Sequence, residues 1–194
     1  MTLLAAALPT QASHEPAYTV VRQLGGAEIR QYAPYVVAEV QVPGPAGKAG
    51  NQAFPILAAY IFGNNRGREK FAMTAPVTQA AAPTRMVMTA PVVQAASGNA
   101  YTVQFVLPIG GNLASAPEPL DARVHLREVP ANRLAAIRFS GFWSENNYDD
   151  HLADLMGLLR AANLPWTGEP VYSRYNPPFT PWFMRRNEIW LTVH

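Results

Sequence analysis

The chain has 194 residues, 49% of them apolar and only 14% charged, with a formal net charge of +2. That length buries one core comfortably, the apolar fraction excludes wholesale disorder, and the low charge density excludes a polyelectrolyte surface for gripping nucleic acid. Cysteine is absent, which removes disulfides, thiolate nucleophiles and sulfur-ligated zinc or iron–sulfur centres. No run of roughly eighteen apolar residues is available to span a membrane. His14, His125, His151 and His194 are scattered without metal-ligand spacing, so any metal ligand stays unknown at this level.

Taken in order, residues 1–16 begin Met-Thr-Leu-Leu-Ala-Ala-Ala-Leu and place the small residues Thr10 and Ala12 where a signal peptidase would cut. The positive start of an export signal is missing, so the segment reads either as the remnant of such a signal, which would make the chain exported, or as a flexible terminus. A domain follows over residues 17–194. Tyr18 to Val21 and Glu28 to Tyr32 are extended around a turn at Gly25 and Gly26, and Tyr35 to Val42 is a β-branched strand ended by Pro43 and Gly44. Phe54, Leu57, Ala58 and Ile61 then fall on one face of a helix, expected to start near Asn51 so that Pro55 lies in its first turn, and to stop at Gly63.

Phe71 to Gln79 and Met86 to Gln94 are near-identical extended segments, each interrupted by a proline that suits an edge or bulge. Tyr101 to Leu107 is a further strand, and Asn112 to Leu120 a linker. Val124 to Val129 and Leu134 to Ser140 read as a second hairpin. Ser144 caps a helix that lines up Tyr148, Leu152, Leu155, Met156 and Leu159 and ends before Pro165. The sequence thus repeats a plan of hairpin, helix and strands, in halves of about 17–111 and 120–194.

Val171 to Tyr175 and Asn187 to Val193 flank the least ordinary segment of the chain. Pro177, Pro178 and Pro181 forbid regular structure there, so Phe179, Trp182, Phe183 and Met184 must pack as a loop, with Arg185 and Arg186 at its end. So apolar a connection either closes over the protein's own core or walls a site for something flat, apolar and anionic.

One ordered set of motifs runs through these elements. It comprises Glu28-Ile29-Arg30 with Tyr32, Tyr60-Ile61-Phe62-Gly63-Asn64-Asn65, and the paired Met73-Thr74-Ala75-Pro76-Val77 and Met88-Thr89-Ala90-Pro91-Val92. Phe139-Ser140-Gly141, Tyr175-Asn176-Pro177-Pro178 and Arg186-Asn187-Glu188-Ile189-Trp190 complete it. In this order the segments resemble the SOUL family of haem-binding proteins from Tyr18 to Val193.

The resemblance implies an α+β fold, a distorted antiparallel β-barrel of eight to nine strands with two flanking helices, similar in architecture to the effector-binding domains of multidrug-sensing regulators. It also implies reversible binding of haem or another tetrapyrrole, as carrier, buffer or chaperone, in a cleft between the first helix and the loop joining the last two strands. The expected contacts are Phe54, Leu57, Ala58 and Ile61 on the helix, Met73, and Phe179, Trp182, Phe183 and Met184 on the loop. Basic residues at the rim, Arg66, Arg68, Lys70, Arg185 and Arg186, would meet the two propionates. Where some relatives place a candidate histidine ligand this chain has Gln31, a poor haem ligand, so tetrapyrrole would either be held without a strong protein–iron bond or recruit Met73, Met184, Tyr175 or a distant histidine to the iron. No nucleophile–base pairing is visible, which argues against an enzyme. The competing readings are a hydrolase using Glu28 or Glu188 as a base of raised pKa, and a protein-interaction module.

Overall fold

A computed structural model describes residues 15–71, 76–81, 100–108, 112–176 and 179–194. The elements are β1 (Tyr18–Leu24), β2 (Ala27–Tyr32), β3 (Tyr35–Pro43), α1 (Ala46–Ile61), β4 (Val77–Ala81), β5 (Ala100–Leu107), β6 (His125–Val129), β7 (Asn132–Phe139), α2 (Glu145–Ala161), β8 (Trp166–Arg174) and β9 (Asn187–Val193). All nine strands join one antiparallel sheet in the order β1-β2-β7-β9-β8-β4-β5-β3-β6.

The expected α+β fold with nine strands and two helices is present, but the sheet is not closed into a barrel: β1 and β6 are its edges. It curves instead, for a reason visible in the register. Tyr32 faces Asn132 and Tyr35 faces Val129, three residues further along one chain and three back along the other. The β2/β7 and β3/β6 ladders are therefore one long ladder bent at Pro34 and Pro130, where proline supplies no donor. The same geometry corrects the second hairpin. β6 and β7, separated only by Pro130 and Ala131, are two limbs of one bent strand and pair with β3 and β2, not with each other.

Both helices cover one face of the sheet, as the cross-strand series Val103–Gln79–Tyr172–Ile189 links the core under α1 to the core under α2. α1 buries Ala49, Ala53, Leu57, Tyr60 and Ile61 against β3 and β5. It starts at Ala46, earlier than expected, so Pro55 lies in its interior and the bond to the Asn51 carbonyl is forgone. α2 is capped by Ser144, whose hydroxyl accepts from the Asn147 N–H, and carries Glu145 in its first turn and Arg160 in its last, matching the helix dipole at both ends. β8 starts earlier than expected, with a bulge between Thr167 and Val171. The segment 86–94 lies outside the described residues, and β4 pairs with β5.

Candidate functional site

On the face away from the helices, several of the sequence motifs meet at one carboxylate. Glu188 is fully buried, and Arg30, Arg186, Tyr175 and Trp190 all donate to it, at 2.7–3.2 Å. Arg30 also donates to Glu28 and Tyr32 and lies 4.5 Å from the centre of the Tyr18 ring. Arg186 is further held by Glu15 and by the Tyr175 ring, 3.7 Å from its centre. Burial raises the Glu188 pKa, but the hydrogen bonds and charges of Arg30, Trp190 and Arg186 outweigh it and hold the group below the ordinary carboxylate range. Glu28 is likewise held low by hydrogen bonds from Arg30 and Gln23 against a raising contribution from burial. Both carboxyls are held low, unlike the base of raised pKa that the hydrolase reading expects.

Arg186 therefore faces the buried cluster. Its neighbour lies elsewhere: Arg185 donates to the Thr180 carbonyl and its guanidinium sits 4.5 Å from the Trp143 ring centre. Period-two alternation gives the reason, since Arg186 and Glu188 share a face and Arg185 takes the other.

The loop between β8 and β9 forms a flap. Its neck is closed by the Arg186 N–H donating to Asn176 Oδ1 and the Tyr175 N–H donating to the Arg186 carbonyl. Its crest is a single 3₁₀ turn, Trp182–Met184, docked where the Gly141 N–H donates to the Trp182 carbonyl. Gly141 has φ +119°, and a Cβ there would stand 2.8 Å from the Asn147 amide nitrogen, so the position requires glycine. Phe142 stacks on Trp182 at 5.4 Å, and Phe183 meets Trp182 edge-on. The flap does not close over a core: Phe179 is 87% exposed, Met184 65%, Phe183 61% and Trp182 49%.

Beside the flap, a cavity of about 300 Å³ opens between the two helices above β4 and β8, at the small end of ligand sites. Tyr172 and Gln79 line it, with Trp143 and Tyr148 on the α2 side and Gly47 on α1. Arg174, also in the lining, donates to the Tyr148 hydroxyl at 3.1 Å and lies 4.6 Å from the Trp143 ring centre. Trp143 is thus shared by Arg174 and Arg185, while its indole N–H donates to Asn187. Gly50 lets α1 approach, since a Cβ there would come within 3.1 Å of Arg174. The path from α1 to the flap runs through Gly50, Arg174, Trp143 and Arg185.

The residues expected from sequence divide accordingly. Phe179, Trp182, Phe183 and Met184 share the exposed flap, with Arg185 at its base. Phe54 is partly exposed on α1, edge-on to Phe105 at 5.5 Å. Leu57, Ala58 and Ile61 are buried, and Leu57 and Ile61 belong to the core beneath α1, so the structural role accounts for them. Arg66 is exposed beyond the end of α1 and pairs with Glu118 at 3.0 Å. Met73 lies outside the described residues. Sequence reasoning missed Trp143 and Arg174 as site residues and read Tyr148 only as core; the aromatic pair Phe142-Trp143 just before the Ser144 cap was the available signal. The motif ending Asn64-Asn65 serves the fold, because buried Asn65 donates to the Tyr60 and Glu69 carbonyls and accepts from the Glu69 N–H. Among the described residues no helix is long and apolar enough to cross a membrane.

Comparison with known proteins bears on the fold and the family. The fold is similar to the carboxy-terminal domain of EcmrR, at TM-score 0.61 and 13% identity over 91% of this chain and 98% of that one. It is also similar to a hydrolase from Listeria innocua, at TM-score 0.60 and 14% identity over 90% of this chain and 94% of that one. At such identities the likeness is one of fold. Heme-binding protein 1 of Mus musculus is 28% identical over 76% of this chain and 73% of its own length. The Xenopus tropicalis protein of the same name is 27% identical over 84% and 81%. The family model described as SOUL heme-binding protein matches residues 13–192, and the chain belongs to that family.

Proposed function

We propose that this chain binds haem or a related tetrapyrrole reversibly in the groove bounded by α1, the start of α2 and the β8–β9 flap, and that it carries or buffers this ligand without transforming it. The exposed aromatic flap is the observation that carries the reading. Burying isolated apolar side chains is what folding ordinarily achieves, so a contiguous cluster left in solvent beside a cavity is a surface kept for a partner. The residues present fit the group: planar side chains for its faces, and Arg174 and Arg185, both against Trp143, for its carboxylates. Haem here is cargo, whose iron supplies the chemistry wherever it is delivered.

Among the described residues no histidine lines the cavity, and the Gln31 amide donates to the Asn132 carbonyl on the β2/β7 ladder, so affinity rests on contact area and charge. Covering roughly 300 Å² of porphyrin contributes about 7 kcal/mol, against a loss of rigid-body freedom of at least about 4 kcal/mol. The resulting binding is modest and indifferent to the metal.

A spectral titration tests this. Hemin added to purified protein should give a saturable Soret shift, with zinc or metal-free protoporphyrin competing for the same site; no saturable shift would remove the proposal. Arg185→Glu should weaken binding in a salt-sensitive way, and unchanged affinity would move the carboxylates away from that residue.

A further inference from the structure

A second cavity, of about 390 Å³, opens on the face of the sheet away from the helices. Its lining joins strands that are distant in the sheet: Glu39 and Arg127 from β3 and β6, Asn132 and Thr192 from β7 and β9. β3 and β9 stand four strands apart in the order, about 19 Å if the sheet were flat. One cavity reaches both because the ladder bent at Pro34 and Pro130 curls the sheet around it. The mouth of a curled sheet is a common place for a small ligand, and the volume lies within the range of such sites.

The lining is polar and electrically neutral. Among the described residues its charged groups are Glu39 and Arg127, paired at 3.1 Å. A cross-strand row holds that pair in place. The register sets Thr78 opposite Gln104 and Gln104 opposite Glu39. The Thr78 hydroxyl donates to Gln104 Oε1 at 3.1 Å, and the Gln104 amide donates at 2.8 Å to the Glu39 oxygen that also accepts from Arg127. Gln41, Thr102 and Thr192 add groups that both donate and accept. One acceptor lacks its counterpart: Asn132 Oδ1, in the same lining, is cut off from solvent and accepts no hydrogen bond among the described residues, a state that folded proteins seldom leave without a use.

We propose that this cavity binds a neutral, hydroxyl-rich small molecule of the sugar and polyol class, one hydroxyl donating to Asn132 Oδ1 and others pairing with the threonine hydroxyls and glutamine amides. Charge narrows the class. An anion would find Arg127 already paired and a cation would find Glu39 already paired, so neither recovers the cost of its own desolvation. An apolar ligand would strip water from the same polar groups and return no hydrogen bond. Hydroxyls donate and accept, as the lining does. The site lies across the sheet from the groove between the helices, and it stands independently of the tetrapyrrole reading.

Glucose, maltose and myo-inositol, each titrated against the purified protein and followed by saturation-transfer NMR, test it. At least one should give a saturable signal. Asn132→Leu removes the carboxamide at nearly constant volume and should weaken that binding about three- to tenfold. Thr102→Val, which deletes a half-buried hydroxyl on a strand that suits valine, should weaken it about threefold and reads the same loss if Asn132→Leu does not fold. Saturating hemin should leave the sugar signal unchanged. No saturable signal from any of the three, or binding that neither substitution weakens, would overturn the proposal. Displacement by hemin would overturn it too, by putting both ligands in one groove. Failure of hemin to bind would instead remove the tetrapyrrole reading and leave the sugar titrations to decide this one.

Discussion

Two neighbouring stretches of chain invert the usual rule of what is buried. At Glu188 a carboxylate is fully inside with Arg186 partly covered beside it, while at Phe179 and Trp182–Met184 large apolar groups are outside. The first inversion is compensated within the protein, since Glu188 accepts from Arg30, Arg186, Tyr175 and Trp190. Among the described residues the second has partial compensation, in the Phe142–Trp182 stack and the edge-on Trp182–Phe183 contact. An unusual residue with all its partners in the fold belongs to the architecture; one whose partners are missing from the fold points outward to a ligand.

The largest expected effect breaks the first of these. Glu188→Ala leaves two guanidinium groups without their shared anion and should lower the unfolding free energy by about 3–5 kcal/mol, read from urea denaturation. Acid should attack the same cluster. Because the folded-state pKa of Glu188 is held below its unfolded value, its contribution is full above the ordinary carboxylate range and is lost as pH falls through the folded value. A denaturation midpoint that did not decline below about pH 4.5 would contradict that ionisation. Leu57→Ala comes next, costing about 2–5 kcal/mol of stability while the folded fraction keeps its haem affinity. A change in affinity would mean that α1 opens to ligand.

The flap should behave in the opposite way. Replacing Trp182 and Phe183 together by alanine is expected to weaken hemin binding about tenfold or more, with stability altered by no more than about 0.5 kcal/mol. A large stability loss without an affinity loss would make the flap a structural lid. The smallest effect belongs to Arg66→Glu. This side chain is solvated and paired with Glu118, so hemin affinity should move by less than about twofold; a larger loss would extend the basic rim to the far end of α1.

Much of this was legible in the chain itself. The β-branched run of β3, the capped α2 and the ordered motifs pointed to the fold and family, and the prolines around Phe179 and Trp182 announced a loop. Pairing was less legible. Val124–Val129 and Leu134–Ser140 look like a hairpin because sequence shows adjacency, whereas their partners are chosen by how two long bent strands cross. The cavity was hidden for a related reason, since Trp143, Tyr172 and Arg174 converge from a turn and a strand only once both helices have packed. The separation of Arg185 from Arg186 follows from parity alone, applied across the end of a strand.

The long ladder bent at Pro34 and Pro130 has a consequence for how such a chain can vary. Inserting one residue at either bend would slide one limb of the ladder relative to the other and turn a whole row of side chains inside out. Only matched changes at both corners keep the helices above one surface and Glu188 below the other. The two corners are therefore expected to gain or lose residues in concert, and length variation should collect in connections that cross no such joint.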